Sequence, residues 1–353
     1  MQRSCGDFSP EKQKRVFEDL IKNSYKGIPG VTYVQGNTRS ASFAVLMIFT
    51  HGNEPGGLAA ASALLDDHDV RDRLTGNVMI TVNNIEAGSK YFLAKTAEEK
   101  SACRGVDMNM NRIPEDILDR KSGSNEPYEI RRLLQLMPLL RDASLGLDIH
   151  SLGQPGNPMI IDTKGKKLVL DELSDSMDVE TRITNIIAHM KGYSVGCLVG
   201  GLKKGAGIKH ENLTHEVPAI ALEVGPHEEP TAMDFARKLT LSTLLGAGYL
   251  DGERTENTTT QRTYQTIDSF KFPSMAYQFV RPHNEFGFIR KGEVIAKGDG
   301  DDIVAEQDCH TLFGIAPTGL KLTNEAHLPD ERMFLALPPQ NRQRFLREPV
   351  FKD

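Results

Sequence analysis

The chain has 353 residues, which is too long for one small hydrophobic core and predicts either a large domain with a smaller one or two comparable domains. Hydrophobic residues make up 39% of the chain and charged residues 25%, a composition that excludes wholesale disorder and fibrous architecture. The net charge of −6 provides no overall basic field, so we do not expect nucleic acid as a main partner.

Amphipathic helices alternate with short apolar strands from the N-terminus to residue 249. We predict helices over residues 9–24, 58–65, 126–141, 181–191 and 231–249, and strands over residues 31–35, 43–50, 77–82, 145–149 and 219–224. Continuous apolar runs such as FAVLMIFT at 43–50 are typical of sheets that helices cover on both faces. The alternation predicts an α/β domain with a mostly parallel or mixed sheet.

The composition changes after this region. Residues 251–263 are polar and lack apolar periodicity, which predicts a linker. The segment FGFIRKGEVIAKGDGDD beyond it shows short strand patterns separated by glycine and aspartate turns. We therefore predict a larger α/β domain over residues 1–252 and a smaller β-rich domain over residues 253–353.

The four cysteines, Cys5, Cys103, Cys197 and Cys309, show no CxxC spacing, which argues against a cysteine zinc site and a disulfide framework. Free thiols fit a reducing compartment. The N-terminal sequence lacks the shape of a signal peptide, and no apolar run reaches the roughly 18 residues that a membrane span needs. We expect a cytoplasmic protein with no membrane partner, and the sequence leaves a homo-oligomer open.

Three side chains suited to metal binding follow predicted buried strands. His51 and Glu54 come directly after the strand at 43–50, and His150 follows the strand at 145–149. Sites in α/β sheets gather beyond the carboxyl ends of strands, and a catalytic zinc takes three such protein ligands plus water. Strand alternation puts Asp148 on the same face as His150, where a carboxylate could orient the imidazole. Taken singly, each residue also fits a surface turn or a structural hydrogen bond.

Two further segments carry candidate chemistry. Glu223 lies in the apolar strand AIALEVGP, where burial is costly unless the carboxylate is paired or functional, and where burial would raise its pKa toward that of a general base. A salt-bridged acid at a sheet end is the alternative. The segment CRGVDMNMNR contains Arg104, Asn111 and Arg112, and arginine can stabilise an oxyanion or bind a carboxylate through two hydrogen bonds. A plain polar loop would also explain this segment.

Together these motifs resemble the succinylglutamate desuccinylase/aspartoacylase family of the zinc carboxypeptidase superfamily. The resemblance runs from about residue 42 to residue 226, and the tail around HTLF (310–313) is similar to the family's small β domain. It implies a zinc-carboxypeptidase-like mixed sheet flanked by helices, with a smaller C-terminal β-rich domain. It rests on five motifs in the family's order: HGNE (51–54), NNIEA (83–87), CR…MNR (103–112), DIH (148–150) and EVGP (223–226).

The resemblance also implies roles for individual residues. Glu223 matches the general base, which takes a proton from the attacking water and later delivers it to the leaving amine. Arg104 matches the arginine that polarises the scissile carbonyl, and Asn111 and Arg112 match the pair that holds a substrate carboxylate. One Zn²⁺ per chain is implied, with the ligands His51, Glu54 and His150.

Part of the family pattern is altered. Asn109 stands where the family usually has aspartate. No arginine precedes Glu223 at the position of the family's second substrate arginine, and Lys209, His210 and His215 do not fit its spacing. The acyl group and the amino acid therefore remain open.

The sequence predicts a zinc-dependent amidohydrolase that acts on a small N-acyl amino acid or a similar amide. A zinc carboxypeptidase that trims short peptides is the second interpretation, because the superfamily shares this site. A non-catalytic zinc-binding protein that has kept the fold is the third.

Overall fold

The computed structural model describes residues 8–38, 42–110, 113, 123, 125–152, 159–162, 184–187, 219–227, 229–252, 261–281, 287–312, 333–336 and 340–342. The helices of these residues are α1 (Pro10–Lys22), α2 (Gly57–Asp66), α3 (His68–Asp72), α4 (Ile85–Leu93), α5 (Ala97–Ala102), α6 (Tyr128–Arg141) and α7 (Pro230–Gly246).

The strands run through the whole described chain. They are β1 (Ser24–Tyr25), β2 (Ile28–Pro29), β3 (Val31–Val34), β4 (Phe43–Ile48), β5 (Asn77–Val82), β6 (Leu145–Leu152), β7 (Met159–Asp162), β8 (Thr184–Ile187), β9 (Ala219–Pro226), β10 (Gln261–Phe270), β11 (Gln278–Phe279), β12 (Phe288–Ile289), β13 (Val294–Lys297), β14 (Ile303–Val304), β15 (Cys309–Leu312), β16 (Met333–Ala336) and β17 (Gln340–Arg342).

The central sheet has the strand order β12-β15-β16-β10-β8-β7-β9-β6-β4-β5-β3, with β17 paired to β10. Strands β5, β4, β6 and β9, which lie toward the β3 end of this order, are parallel, while β3 and β7 join this parallel block in the antiparallel sense. This mixed sheet flanked by helices confirms the predicted fold class. The parallel block brings the carboxyl ends of β4, β6 and β9 to one edge, where ligand sites form in α/β sheets.

Helices cover both faces of the parallel block, which explains the continuous apolar runs of its strands. Leu46 and Ile48 of β4 pack in a buried cluster with side chains of α1, α2 and α7. Val45 and Met47 of the same strand point the other way and pack with α6. Alternation along one strand therefore supplies the cores of two layers, and α1, α2 and α7 lie opposite α6.

The prediction of a helix at residues 181–191 is wrong for residues 184–187, which form β8. This strand pairs in parallel with β7 on one side and with β10 on the other. Its sequence TNII contains three β-branched residues, which lose side-chain freedom in a helix and fit a pleated sheet. Backbone pairing with these two neighbouring strands stabilises the strand conformation over the predicted helix.

Small antiparallel sheets in the C-terminal region confirm its predicted β-rich character. Strands β11, β13 and β14 form one sheet, and β12, β15 and β16 pair at the end of the central sheet. The predicted linker at 251–263 is too long, because residues 261–263 already belong to β10 and residues 253–260 lie outside the described residues. The division at residue 252 stays a prediction. Among the described residues, no helix combines the length and the apolar character needed to cross a membrane.

Candidate metal centre and active site

The three predicted metal ligands converge at the carboxyl ends of two neighbouring strands. His51 and Glu54 lie in the turn between β4 and α2, and His150 lies near the end of β6, which pairs in parallel with β4. Their ligand atoms all lie within 4.8 Å of one another. All three side chains are buried, so the cluster is shielded from bulk water.

The turn that carries two of these ligands is tightly constrained. Phe49, directly before it, is a buried non-glycine residue with φ of 55°, in the left-handed region that costs energy for such a residue. A Cβ on Gly52 would lie 2.3 Å from the Cβ of Ala87, and one on Gly57 would lie 2.3 Å from Ile48 Cγ2. The turn after β4 therefore needs glycine at both positions because neighbouring atoms approach its backbone closely.

The Glu54 carboxylate sits between the two imidazoles. Its Oε1 lies 2.8 Å from His51 Nδ1, and its Oε2 lies 2.8 Å from His150 Nδ1. Oε1 also accepts a hydrogen bond from Arg104 at 3.0 Å, and Oε2 accepts one from the backbone N–H of Ser151 at 3.4 Å. Two Nδ1 atoms and a carboxylate facing one another form the donor set that zinc prefers.

The outer nitrogens of both imidazoles face oxygen acceptors. His51 Nε2 lies 3.1 Å from Asn109 Oδ1, and His150 Nε2 lies 3.0 Å from Asp148 Oδ2. With a metal at Nδ1, these acceptors would hold the remaining proton of each imidazole on Nε2, as is usual for ligand histidines. This arrangement fits a metal ion, and the predicted placement of Asp148 beside His150 is confirmed.

A buried hydrogen-bonded chain fixes Asp148 from behind. Thr50 Oγ1 donates to Asp148 Oδ1 at 2.7 Å, and Asn83 Nδ2 donates to Thr50 Oγ1 at 2.8 Å. Thr81 Oγ1 in turn donates to Asn83 Oδ1 at 2.8 Å. Thr50 was not singled out from the sequence. Its position directly before the predicted ligand His51, at the end of a predicted strand, is the sequence feature that could have indicated a role in the site. These three buried hydrogen bonds hold Asp148 Oδ1 in place and leave Oδ2 directed at His150.

The pKa values in the cluster reflect burial and mutual charge. Burial would raise the pKa of Glu54, but His51 and His150 hold it well below its usual range. Burial lowers the pKa of His51 to about 4, and the positive charge of the nearby Arg104 guanidinium is the second cause. Burial would likewise lower the pKa of His150, but the carboxylates of Asp148 and Glu54 raise it well above the usual value. The two imidazoles thus differ in charge near neutral pH.

Two more predicted residues lie beside the cluster. Glu223 of β9 is in register with His150 of β6, so both side chains point to the same face of the sheet, and Glu223 is 3% exposed. The Arg104 side chain is 42% exposed while it contacts the buried Glu54. Arg104 therefore connects the cluster with the solvent-accessible side.

Asn111 and Arg112 lie outside the described residues, as do the alternative cations Lys209, His210 and His215.

Comparisons with solved structures identify the fold. A point mutant of murine aminoacylase 3 is similar over 88% of this chain and 100% of its own, with a TM-score of 0.58 and 17% identity. Succinylglutamate desuccinylase from Vibrio parahaemolyticus is similar over 88% of this chain and 87% of its own, with a TM-score of 0.58 and 15% identity. A succinylglutamate desuccinylase/aspartoacylase from Rhodobacter sphaeroides covers 87% of this chain and 88% of its own, with a TM-score of 0.57 and 13% identity.

These neighbours confirm, at the level of the fold, the family resemblance read from the motifs. No protein-family model and no curated protein matches the sequence.

Proposed function

We propose that this chain is a zinc-dependent hydrolase that removes the acyl group from a small N-acyl amino acid or a similar linear amide. The observation that carries the proposal is the buried cluster of His51, Glu54 and His150, with Glu223 in register beside it. The fold shared with an aminoacylase and with succinylglutamate desuccinylases supports an acyl-amide substrate.

In this proposal His51 and His150 would hold one zinc through Nδ1, and Glu54 would hold it through its carboxylate. Zinc in such a site supplies a Lewis acid that polarises the scissile carbonyl and acidifies the attacking water. Asn109 and Asp148 keep the imidazoles oriented for this task through their contacts at Nε2.

Glu223 acts as general base and then as general acid. Its carboxylate accepts a proton from the attacking water and delivers it to the departing nitrogen, so that the amine leaves uncharged. Its position on the same face as His150 keeps this transfer within the buried site.

Arg104 stabilises the negative charge that develops on the carbonyl oxygen. A guanidinium has five N–H donors, so Arg104 can keep its bond to Glu54 while it donates to the substrate. Asn111 and Arg112 complete the proposal as the pair that binds the substrate carboxylate.

The test is a substrate panel with purified, zinc-loaded protein, covering succinyl, acetyl and formyl derivatives of many amino acids and a set of short peptides. For the best substrate, we expect Glu223→Gln to reduce kcat by about 10²–10⁴-fold, because it removes general acid–base catalysis without changing the shape of the side chain. Steady-state kinetics measure the loss.

Glu229→Gln is the matched control, since Glu229 is an exposed glutamate shortly after β9 and should leave kcat unchanged. Normal turnover by Glu223→Gln would contradict the assignment of the base. Cleavage of the peptides alone would favour a carboxypeptidase, and zinc binding without hydrolysis of any compound would contradict the proposed activity.

A further inference from the structure

Glu129 is a buried carboxylate of α6 that the proposed chemistry does not use. Its side chain is 0% exposed and lies in the first turn of the helix. It accepts hydrogen bonds from the backbone N–H groups of Val106 at 2.6 Å, Asp107 at 3.2 Å and Met108 at 3.3 Å. It also accepts one from Asn84 Nδ2 at 2.9 Å. Three consecutive amides of one loop are therefore gathered around a single carboxylate.

The distribution of these bonds requires two acceptor oxygens. Oε1 accepts from Val106 and Asn84, and Oε2 accepts from Asp107 and Met108. Glutamine at position 129 would turn one of the two oxygens into an NH₂ group that faces two donors. The two donors that face this group would then lose their acceptor. The hydrogen bond is buried at Asn84 and part-buried at the three loop amides, so its loss carries a desolvation cost.

The loop also accepts a hydrogen bond from α6, in addition to donating to Glu129. Asp107 Oδ2 accepts a hydrogen bond from the backbone N–H of Tyr128 at 2.7 Å, so the loop caps the helix while the helix holds the loop. A Cβ on Gly105 would lie 2.4 Å from the carbonyl oxygen of Met108, which shows how tightly the loop turns. Loop and helix N-terminus therefore form one unit.

Both ends of this loop contact the metal cluster. Arg104 donates to Glu54 Oε1 at 3.0 Å, and Asn109 Oδ1 lies 3.1 Å from His51 Nε2. The carbonyl oxygen of Arg104 accepts from the backbone N–H of Gly52 at 3.1 Å. The position of this loop thus sets how two of its side chains meet two of the predicted zinc ligands.

We infer that Glu129 is a positioning residue that fixes residues 104–109, so that Arg104 and Asn109 meet the metal site. Its effect on turnover rests on the proposed function, whereas its effects on the loop and on metal affinity do not require a known substrate.

The experiment compares the wild-type chain with Glu129→Gln. We expect the amides of Val106, Asp107 and Met108 to exchange hydrogen at least about tenfold faster in the variant, because hydrogen bonds to a charged group are lost. Zinc affinity, measured by chelator competition, should fall about tenfold because Asn109 no longer orients His51. On a hydrolysed substrate, kcat should fall more than KM rises, since Arg104 acts as charge develops on the oxygen.

Glu126→Gln is the matched control. Glu126 lies three residues earlier, is only partly buried, and accepts a hydrogen bond from the exposed loop residue Gly123 at 3.1 Å. It should leave loop exchange and zinc affinity unchanged. Glu129→Asp keeps the charge and should restore part of the zinc affinity, which a purely steric role for Glu129 would not produce.

If Glu129→Gln does not fold, Gly105→Ala provides the second variant, because its Cβ would meet the Met108 carbonyl oxygen and disturb the loop while the Glu129 carboxylate is kept. It should raise the same exchange rates and weaken zinc binding. Unchanged exchange at residues 106–108, or unchanged zinc affinity despite faster exchange, would overturn the inference. Failure of the wild type to hydrolyse any compound would refute the proposed function and leave these two readouts intact.

Discussion

Glu54 is the residue that unites the candidate site. Its two oxygens contact His51 and His150, and one of them also accepts from Arg104. A buried carboxylate with three cationic or polar partners avoids the cost of burying charge alone. The same arrangement lets Glu54 exchange its imidazole contacts for a metal ion without moving far.

The different pKa values of His51 and His150 predict how many protons are released when zinc binds. At about pH 6, His150 is protonated because its pKa lies well above the usual value, and His51 is neutral because its pKa is about 4. Zinc needs neutral imidazole, so we expect about one proton to be released, from His150, and zinc affinity to increase with pH. Isothermal titration calorimetry in buffers of different ionisation enthalpy measures the number of protons released. Release of none or of two protons would contradict the difference between the two histidines.

The turn from β4 into α2 illustrates how elements position the site. Strand β4 ends at Ile48, the chain passes through the left-handed Phe49, and α2 begins at Gly57 against Ile48. The close packing of helix on strand places His51 and Glu54 over the end of β6. The geometry of the ligands therefore depends on backbone contacts that glycine alone permits.

This dependence predicts the effect of a methyl group at the start of α2. Gly57→Ala should destabilise the fold by about 1–3 kcal/mol, because its Cβ would meet Ile48 in a packed core. Denaturant unfolding monitored by circular dichroism gives the free energy. Gly123→Ala is the control, since a Cβ there meets nothing closer than 3.9 Å. Equal stability of the two variants would show that α2 can shift away from β4 at little cost.

At the scale of the molecule, the site lies at the carboxyl ends of the parallel strands of the central sheet. The ligands come from the β4–α2 turn and from β6, and Glu223 comes from β9 on the other side of β6. Helices α1, α2 and α7 cover one face of these strands, and α6 covers the other. A metal bound here would join elements that are distant in the sequence.

Zinc should therefore stabilise the whole fold. Binding to the native state at a free concentration about 100 times Kd contributes about 2.7 kcal/mol, so Tm should rise with zinc and fall when a chelator removes it. Differential scanning calorimetry over a series of zinc concentrations measures the shift. The control is His150→Ala, whose Tm should respond much less to zinc. A wild-type Tm that does not depend on zinc would argue against a specific site.

The sequence by itself determined the α/β class, the strands β3, β4, β5, β6 and β9, and the grouping of His51, Glu54 and His150. These features depend on local patterns, namely apolar strands and the placement of polar residues at their ends, which one segment can specify. The tertiary structure decided the rest. Residues 184–187 became β8 because two strands distant in sequence offered pairing, which outweighed the predicted helix.

The partners of the predicted ligands were likewise decided in three dimensions. Asn109 meets His51 across 58 positions of the chain, and Glu129 reaches the loop at 106–108 from the next layer of the fold. A hydrogen bond between such residues forms only after packing has brought their elements together, and it leaves no periodic pattern in the sequence. The sequence therefore specified which residues could bind a metal, and the packing of α6 against the loop specified what orients them.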